Sequence, residues 1–149
     1  LFIYRALHDL PYTVYLNHHR SSTFIDDTVR TLANIAERFQ PELILLSAGF
    51  DAHWDDPLAG LRLSLSGFWD LAQTVLALAD LWCSGQVIAV LEGGYNLTVL
   101  SHAVADLCRA LLGEVAPGPD PLGPSPWSER GVEDVIRAVR RMHGLDAGN

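Results

Sequence analysis

The stretch ELILLSAGF, from Glu42 to Phe50, gives the clearest indication of the fold. Its core, Leu43 to Leu46, is a continuous apolar run without alternation, as expected of a strand that is buried on both faces of a parallel sheet. A second run of the same kind, VIAVL, occupies residues 87–91. Both runs therefore predict buried strands.

Apolar residues recur at helical spacing before, between and after these strands. Pro41 ends the first helical pattern, Gly85 breaks the second, and Gly113 stands where glycine is favoured after a helix C-terminus. The predicted elements are helices at 22–39, about 67–83, 97–112 and about 129–143, with a short strand at 12–17. The order strand, helix, strand, helix predicts a doubly wound α/β domain with a right-handed crossover.

The chain has 149 residues, a length that suits one domain with a sizeable core. Proline and glycine are frequent from Ala116 to Pro126, so residues 116–127 are interpreted as a linker. Residues 1–115 then form the domain, and residues 128–149 form an amphipathic helix that packs on it. Because the chain begins with Leu1 rather than Met, we interpret it as part of a longer protein.

The charge balance argues against nucleic acid as a partner. The formal net charge is −8, from 10 Lys and Arg against 18 Asp and Glu, whereas phosphate binding needs clustered cations. The basic residues Arg137, Arg140 and Arg141 lie on the last predicted helix beside acidic residues, so we interpret them as a solvated helix face. No apolar run approaches the roughly 18 residues of a membrane span, so no membrane partner is expected.

Two cysteines, Cys83 and Cys108, lie far apart within apolar helical patterns and show no CxxC spacing. We therefore predict two buried thiols rather than a disulfide or a metal pair. Unpaired cysteines are typical of a reducing compartment, and the cytoplasm is the expected location.

Two loops follow the predicted strands, at the place where open α/β sheets bind their ligands. They are SAGFDAHWDDPLAG at 47–60 and EGGYN at 92–96. The carboxylate of Asp51 is suited to holding a metal or orienting a base, and the O–H group of Tyr95 is suited to polarising a carbonyl. The candidates by position are Gly49, Asp51, His53, Asp55, Asp56, Glu92, Gly93, Gly94 and Tyr95.

Together, the two loop sequences resemble the C-terminal signatures of the histone deacetylase family, which includes lysine deacetylases and bacterial acetylpolyamine amidohydrolases. The forms GFDAH and LEGGYN are most similar to the class II and bacterial branches. The resemblance extends from about Pro41 to Gly113. It implies the arginase/deacetylase fold, a three-layer α/β/α sandwich with a mainly parallel sheet, of which this chain contains only the C-terminal part.

The resemblance also implies roles for individual residues. Asp51 matches the aspartate that ligates the catalytic Zn2+ ion, and Tyr95 matches the tyrosine that hydrogen-bonds the substrate carbonyl and then the tetrahedral oxyanion. Leu58 matches a wall of the acyl-lysine tunnel, and Gly93 and Gly94 shape the loop that presents Tyr95. The implied activity is zinc-dependent hydrolysis of N-acetyl or other N-acyl amides. The implied substrates are an N-acetylated lysine peptide or a small N-acetylated amine such as a polyamine.

Two family motifs are absent from the sequence: an upstream Asp-x-His that supplies zinc ligands, and a His-His pair after a Gly-rich stretch that supplies the general base. A catalytic zinc needs about three protein ligands, so we predict that the chain as given is incomplete and inactive. His18 and His19 lack the Gly-rich context, and His53 is expected to have a surface or supporting role. The other histidines expected to have no ligand role are His8, His102 and His143.

Two alternatives remain open at this point. The chain could be a natural truncated paralogue that acts as a binding or scaffold module, or an unrelated flavodoxin-like domain whose loops mimic the motifs. The content of bound zinc separates the deacetylase from both. In a truncated sheet, strands that lack their neighbours expose backbone donors and apolar faces, so self-association through that edge is expected.

Overall fold

The computed structural model describes residues 2–4, 12–13, 22–58, 62–126, 133–142 and 144. The elements in chain order are β1 (Phe2–Tyr4), β2 (Tyr12–Thr13), α1 (Ser22–Phe39), β3 (Leu43–Ala48), α2 (Leu65–Cys83), β4 (Val87–Leu91), α3 (Leu97–Leu111) and α4 (Glu133–Met142). The strands and helices predicted between residues 22 and 112 are confirmed, with small differences at their ends.

Caps explain where the helices begin and end. The Ser64 hydroxyl accepts the N–H of Gly67 at 3.2 Å, so α2 starts ahead of the glycine at which the sequence pattern placed it. At the start of α3, the Asn96 side-chain oxygen accepts the N–H of Thr98 at 3.0 Å. Gly113 follows the end of α3 with φ +81°, a conformation in which glycine avoids the steric cost of a Cβ atom.

The described strands form one sheet in the order β2-β1-β3-β4. Strands β3 and β4 are parallel, with Ile44 opposite Val87 and Ala48 opposite Leu91, and α2 connects them. This β3-α2-β4 crossover is the βαβ unit that the sequence pattern predicts. Strand β1 runs antiparallel to both β2 and β3. It was not predicted, because three residues are too few to show a period.

The helices α1, α2 and α3 pack on one face of the sheet. Ile44 of β3 is 1% exposed and belongs to a core cluster with Leu32 of α1 and Val75 of α2. Ala48 projects from the same side of β3 and belongs to a second cluster with Val99 of α3. The loop that follows β3 therefore begins at a strand that packs against three helices.

On the opposite side of the sheet, β4 exposes apolar side chains. Residues paired across parallel strands project to the same side, so Ile88 lies beside Leu45 and Val90 lies beside Ser47. The side chains of Ile88 and Val90 are 50% and 51% exposed. The prediction that VIAVL is buried on both faces is thus wrong. In the part of the chain that the structure describes, β4 is an edge strand, and no strand pairs with its outer edge.

We expect this chain to self-associate through β4, because a free strand edge beside an apolar face favours pairing with a second copy. Substitution Val90→Lys should shift the population towards monomer, measured by size-exclusion chromatography with light scattering over a dilution series. Leu81→Lys is the matched control, since Leu81 is 69% exposed on α2 and should leave the assembly unchanged. A wild-type chain that is monomeric at every concentration would contradict the prediction.

The segment 116–126 contains neither helix nor strand, yet it contacts the domain. Gly118 donates its N–H to the buried carboxylate of Asp106 at 2.8 Å, and the Trp54 indole N–H donates to the carbonyl of Gly123 at 3.2 Å. Beyond it, α4 packs against α1. The division into a domain, a linker and a final helix stays a prediction.

The two cysteines differ in their surroundings. Cys83 is buried at the end of α2, and burial raises the pKa of its thiol. Cys108 is exposed on α3, so its predicted burial is wrong; Leu107 beside it packs on the core, and Cys108 falls on the solvent side of the helix. Both cysteines are free thiols.

Among the helices that the structure describes, none combines the length and apolar character needed to cross a lipid bilayer.

Candidate functional site

The loops that follow β3 and β4 lie side by side. Phe50 donates its N–H to the carbonyl of Gly93 at 2.8 Å, and Glu92 donates its N–H to the carbonyl of Ala48 at 3.0 Å. These two bonds extend the pairing of the strands beyond their carboxyl ends. The loops therefore share the position at which α/β sheets bind ligands.

The carboxylate of Asp51 lies between two glycines. A Cβ atom on Gly93 would stand 2.8 Å from Asp51 Oδ2, and a Cβ atom on Gly49 would stand 3.2 Å from Asp51 Oδ1. A side chain on Gly93 would therefore force the carboxylate or the loop to move, whereas a side chain on Gly49 would require a smaller adjustment. The structure brings Asp51 of the first loop directly against Gly93 of the second.

The residue before Tyr95 is a third glycine in close contact with its neighbours. Gly94 has φ +141°, and a Cβ atom there would stand 3.0 Å from Leu100 Cδ1 and 3.2 Å from Phe50 Cβ. The side chain of Tyr95 is 54% exposed. Its backbone N–H donates to Asp56 Oδ2 at 2.9 Å, which connects the second loop to the first.

The acidic pair Asp55-Asp56 holds the far end of the first loop. Asp56 Oδ1 accepts the N–H of Leu58 at 2.9 Å, and the Leu58 side chain is 72% exposed. Asn96 donates its side-chain N–H to Asp55 Oδ2 at 2.9 Å. The sequence marked Asp55 and Asp56 by position only; an Asp before Pro-Leu, able to accept amides two residues on, was the available signal.

Glu92 begins the second loop on the surface. Its carboxylate accepts a hydrogen bond from the Ser47 hydroxyl at 2.8 Å. This bond joins the end of β3 to the first residue of the second loop, and it adds to the backbone bonds that hold the loops together.

His53 lies in the interior beneath the first loop, with 0% of its surface exposed. Its Nδ1 accepts the N–H of Asp55 at 3.1 Å, and its ring stacks on Phe68 with centroids 6.4 Å apart. Burial lowers the pKa of His53, and Asp120, Asp55 and Asp56 oppose that effect. The predicted surface position of His53 is therefore wrong. The alternative, a supporting role, agrees with the hydrogen bond by which the ring holds the turn at Asp55.

A cavity of about 170 Å³ lies between α2, α3 and the end of β3. Its wall is mainly apolar and includes Gly49 and Ala52, which lie in the first loop on either side of Asp51. The charged residue in the wall, Asp106, accepts a hydrogen bond from Arg109 Nη1 at 2.7 Å. The cavity therefore adjoins the first loop from the side of the core.

The described residues do not by themselves fit a catalytic zinc ion. Within the described ranges, no group of three or more His, Cys, Asp or Glu side chains could hold a metal. Asp51 thus supplies one ligand where about three are needed. His102 lies on α3 with Nδ1 2.8 Å from the carbonyl of Thr98, in the same helix. The histidines outside the described residues are His8, His18, His19 and His143.

Comparison with known proteins agrees with this arrangement. Residues 10–111 match the family model described as the histone deacetylase domain. The chain belongs to the histone deacetylase family. The resemblance carried by the two loops is thereby confirmed, and the alternative of an unrelated flavodoxin-like domain is wrong.

Relatives of this histone deacetylase family chain include plant and animal proteins. "Histone deacetylase 10, chloroplastic" of Oryza sativa subsp. japonica is 42% identical over 117 residues, which are 76% of this chain and 26% of that protein. "Polyamine deacetylase HDAC10" of Homo sapiens is 35% identical over 126 residues, which are 83% of this chain and 18% of that protein. The chain thus spans about a quarter of the length of the rice relative.

Solved structures of the family share the fold. The one described as "Crystal Structure of HDA15 HD domain" aligns with a TM-score of 0.60 and 28% identity, over 78% of this chain and 30% of that chain. The predicted fold class, part of an arginase/deacetylase-like α/β domain, is confirmed. The described residues contribute the parallel β3-α2-β4 unit and one layer of helices to it.

Proposed function

We propose that this chain forms part of the catalytic site of a zinc-dependent deacetylase that hydrolyses N-acetyl or other N-acyl amides of lysine or of polyamines. The observation that carries the proposal is the pairing of the two loops, in which Phe50 N–H bonds the carbonyl of Gly93 at 2.8 Å. This pairing sets the Asp51 carboxylate against the loop that presents Tyr95. Metal-assisted amide hydrolysis uses a metal-binding carboxylate and a hydrogen-bond donor for the carbonyl oxygen, and the paired loops carry one of each.

In the proposed reaction, Tyr95 donates a hydrogen bond from its phenol to the substrate carbonyl oxygen. The same bond strengthens as negative charge develops on that oxygen in the tetrahedral intermediate. Water adds to the carbonyl carbon, the C–N bond breaks, and the amine leaves with a proton while the acyl group leaves as a carboxylate. The exposed side chain of Leu58 provides an apolar contact for the acyl-lysine chain.

Zinc, when bound, polarises the carbonyl and lowers the pKa of a bound water. Asp51 is the ligand that the described residues offer, and the proposal places the other ligands and the general base outside them. For this reason we also propose that the chain as given is a fragment, inactive by itself. Gly49 and Gly93 leave the Asp51 carboxylate the room it needs to reach a metal.

Two substrate classes are supported by the names of relatives. The human relative is named a polyamine deacetylase, and the rice relative is named a histone deacetylase. Lysine peptides and polyamines are both cationic, and the net charge of −8 favours their approach. The free thiols of Cys83 and Cys108 support a reducing location, for which we propose the cytoplasm.

A second candidate function is a binding or scaffold module derived from the deacetylase fold. One observation favours it: within the described ranges, Asp51 has no companion ligands that could complete a metal site. The apolar face of β4, with Ile88 and Val90 half exposed, would be the contact surface of such a module.

Zinc content separates the two functions. After dialysis, elemental analysis of the full-length protein is expected to find about one zinc per molecule, whereas this chain alone should retain far less. Asp51→Ala in the full-length protein should lose the zinc and the deacetylation of an acetyl-lysine peptide. Asp80→Ala is the matched control, since Asp80 is an exposed carboxylate on α2 and should change neither.

Two outcomes would contradict the proposal. A full-length protein without zinc and without deacetylase activity would favour the scaffold module. Stoichiometric zinc in this chain alone, lost in Asp51→Ala, would show that the chain completes its own site. His18 and His19 would then become the candidate ligands.

A further inference from the structure

One buried carboxylate connects the two loops of the site. Asp56 is 9% exposed, and its two oxygens are divided between the loops. Oδ1 accepts the N–H of Leu58 in its own loop at 2.9 Å, and Oδ2 accepts the N–H of Tyr95 in the other loop at 2.9 Å. The residues at the two ends of this bridge are the ones proposed to contact the acyl chain and the carbonyl.

The orientation of Tyr95 depends on the backbone that carries it. Its side chain is 54% exposed, so packing around the ring does not determine its direction. The two glycines before it lie against the first loop: Phe50 donates its N–H to the carbonyl of Gly93, and a Cβ atom on Gly94 would stand 3.2 Å from Phe50 Cβ. The Tyr95 N–H itself is held by Asp56 Oδ2, at 2.9 Å.

A second contact acts on the next residue. Asn96 donates its side-chain N–H to the carbonyl of Asp55 at 3.1 Å and to Asp55 Oδ2 at 2.9 Å. The Asn96 oxygen meanwhile caps α3 by accepting the N–H of Thr98 at 3.0 Å. Tyr95 is thus held between Asp56 and a helix N-terminus that Asp55 also holds.

We propose that Asp56 is a positioning residue, which sets the Tyr95 phenol for its hydrogen bond to the substrate carbonyl and fixes its spacing from Leu58. Asp55 assists through Asn96. The proposal rests on the proposed function, because it assigns Asp56 an effect that is exerted through the Tyr95 hydroxyl. Burial makes the carboxylate well suited to this task, since a hydrogen bond to a charged acceptor is strong away from water.

The test is a double-mutant cycle in the full-length protein, with deacetylation of an acetyl-lysine peptide as the assay. Asp56→Asn keeps the shape of the side chain but offers a single acceptor oxygen for the two N–H groups. It is expected to lower kcat by about 10- to 100-fold, as small misplacements of catalytic groups do, with KM little changed. In a Tyr95→Phe background, the same substitution should lower kcat by no more than about twofold.

A second measurement does not depend on activity. Hydrogen exchange of the Tyr95 amide is expected to be slow in the wild type and faster in Asp56→Asn. Asp80→Asn, at an exposed carboxylate on α2, is the matched control and should change neither exchange nor kcat. If Asp56→Asn does not fold, the exchange rate of the Tyr95 amide in the wild type still tests the proposal, because rapid exchange would overturn it.

The outcomes separate this inference from the proposed function. If Tyr95→Phe slows the reaction but Asp56→Asn costs the same in both backgrounds, Asp56 has a general structural role and the inference is overturned. If Tyr95→Phe leaves kcat unchanged, the role assigned to the phenol is wrong, and with it the effect proposed for Asp56 on catalysis. Slow exchange at Tyr95 would then still report the bond itself.

Discussion

Replacing Tyr95 by phenylalanine in the full-length protein is expected to lower kcat for deacetylation by about 100- to 1,000-fold, the usual cost of one lost oxyanion donor. KM should change little, because the hydrogen bond is strongest in the transition state rather than with bound substrate. The ring is 54% exposed, so loss of its hydroxyl should leave stability unchanged. Steady-state kinetics on an acetyl-lysine peptide and on an acetylpolyamine measures the effect.

The matched control for Tyr95→Phe is Leu97→Ala. Leu97 is 77% exposed two residues further along the chain, and its truncation should leave kcat unchanged. Zinc content measured on each variant shows whether the metal is retained. A Tyr95→Phe enzyme that turns over at the wild-type rate with its zinc in place would remove the phenol from the mechanism.

The substitution Gly93→Ala is expected to disrupt the site through Asp51. The added Cβ would stand 2.8 Å from Asp51 Oδ2 and 2.9 Å from Asp51 Cγ, so the carboxylate or the loop must move. Overpacking of this kind costs about 1–3 kcal/mol of the free energy of unfolding. Deacetylation should fall with it, because Asp51 is the proposed zinc ligand. Urea denaturation and activity assays measure the two effects.

Two further variants test the cause. Gly49→Ala brings a Cβ to 3.2 Å from Asp51 Oδ1, a milder contact, and should destabilise less than Gly93→Ala. In an Asp51→Ala background the crowded carboxylate is gone, so Gly93→Ala should cost much less than in the wild type. An equal cost in both backgrounds would mean that another contact of Gly93 is responsible.

The sequence was informative where one local rule determines the structure. Leu43 to Leu46 predicted a strand because an unbroken apolar run suits a parallel sheet. Pro41 and Gly113 predicted helix ends because proline and a left-handed glycine interrupt the helical pattern. The closeness of the loops around Asp51 and Tyr95 followed from parallel strands, whose carboxyl ends meet at one edge of the sheet.

The predictions of side-chain burial failed where burial depends on which elements pack against a strand or helix. An apolar run predicts a strand whether or not a neighbouring element covers that strand. The sequence VIAVL therefore does not indicate that Ile88 and Val90 are exposed. The helical pattern around Cys108 does not distinguish residues in the core from residues at the edge of the apolar face, and the thiol lies on the solvent side. The burial of His53 depends on Phe68, which is distant in sequence.

The register of β4 against β3 sets the spacing between the Asp51 carboxylate and the Tyr95 phenol, the two groups proposed for the reaction. Ala48 stands opposite Leu91, and from these two residues the chain continues to Asp51 and to Tyr95. A shift of the pairing by one residue would displace the phenol from the carboxylate by about 3.3 Å, roughly one strand residue. It would also turn every side chain of β4 to the other face. Sequence changes in α2, which connects the two strands, are therefore tolerated only if they preserve this register.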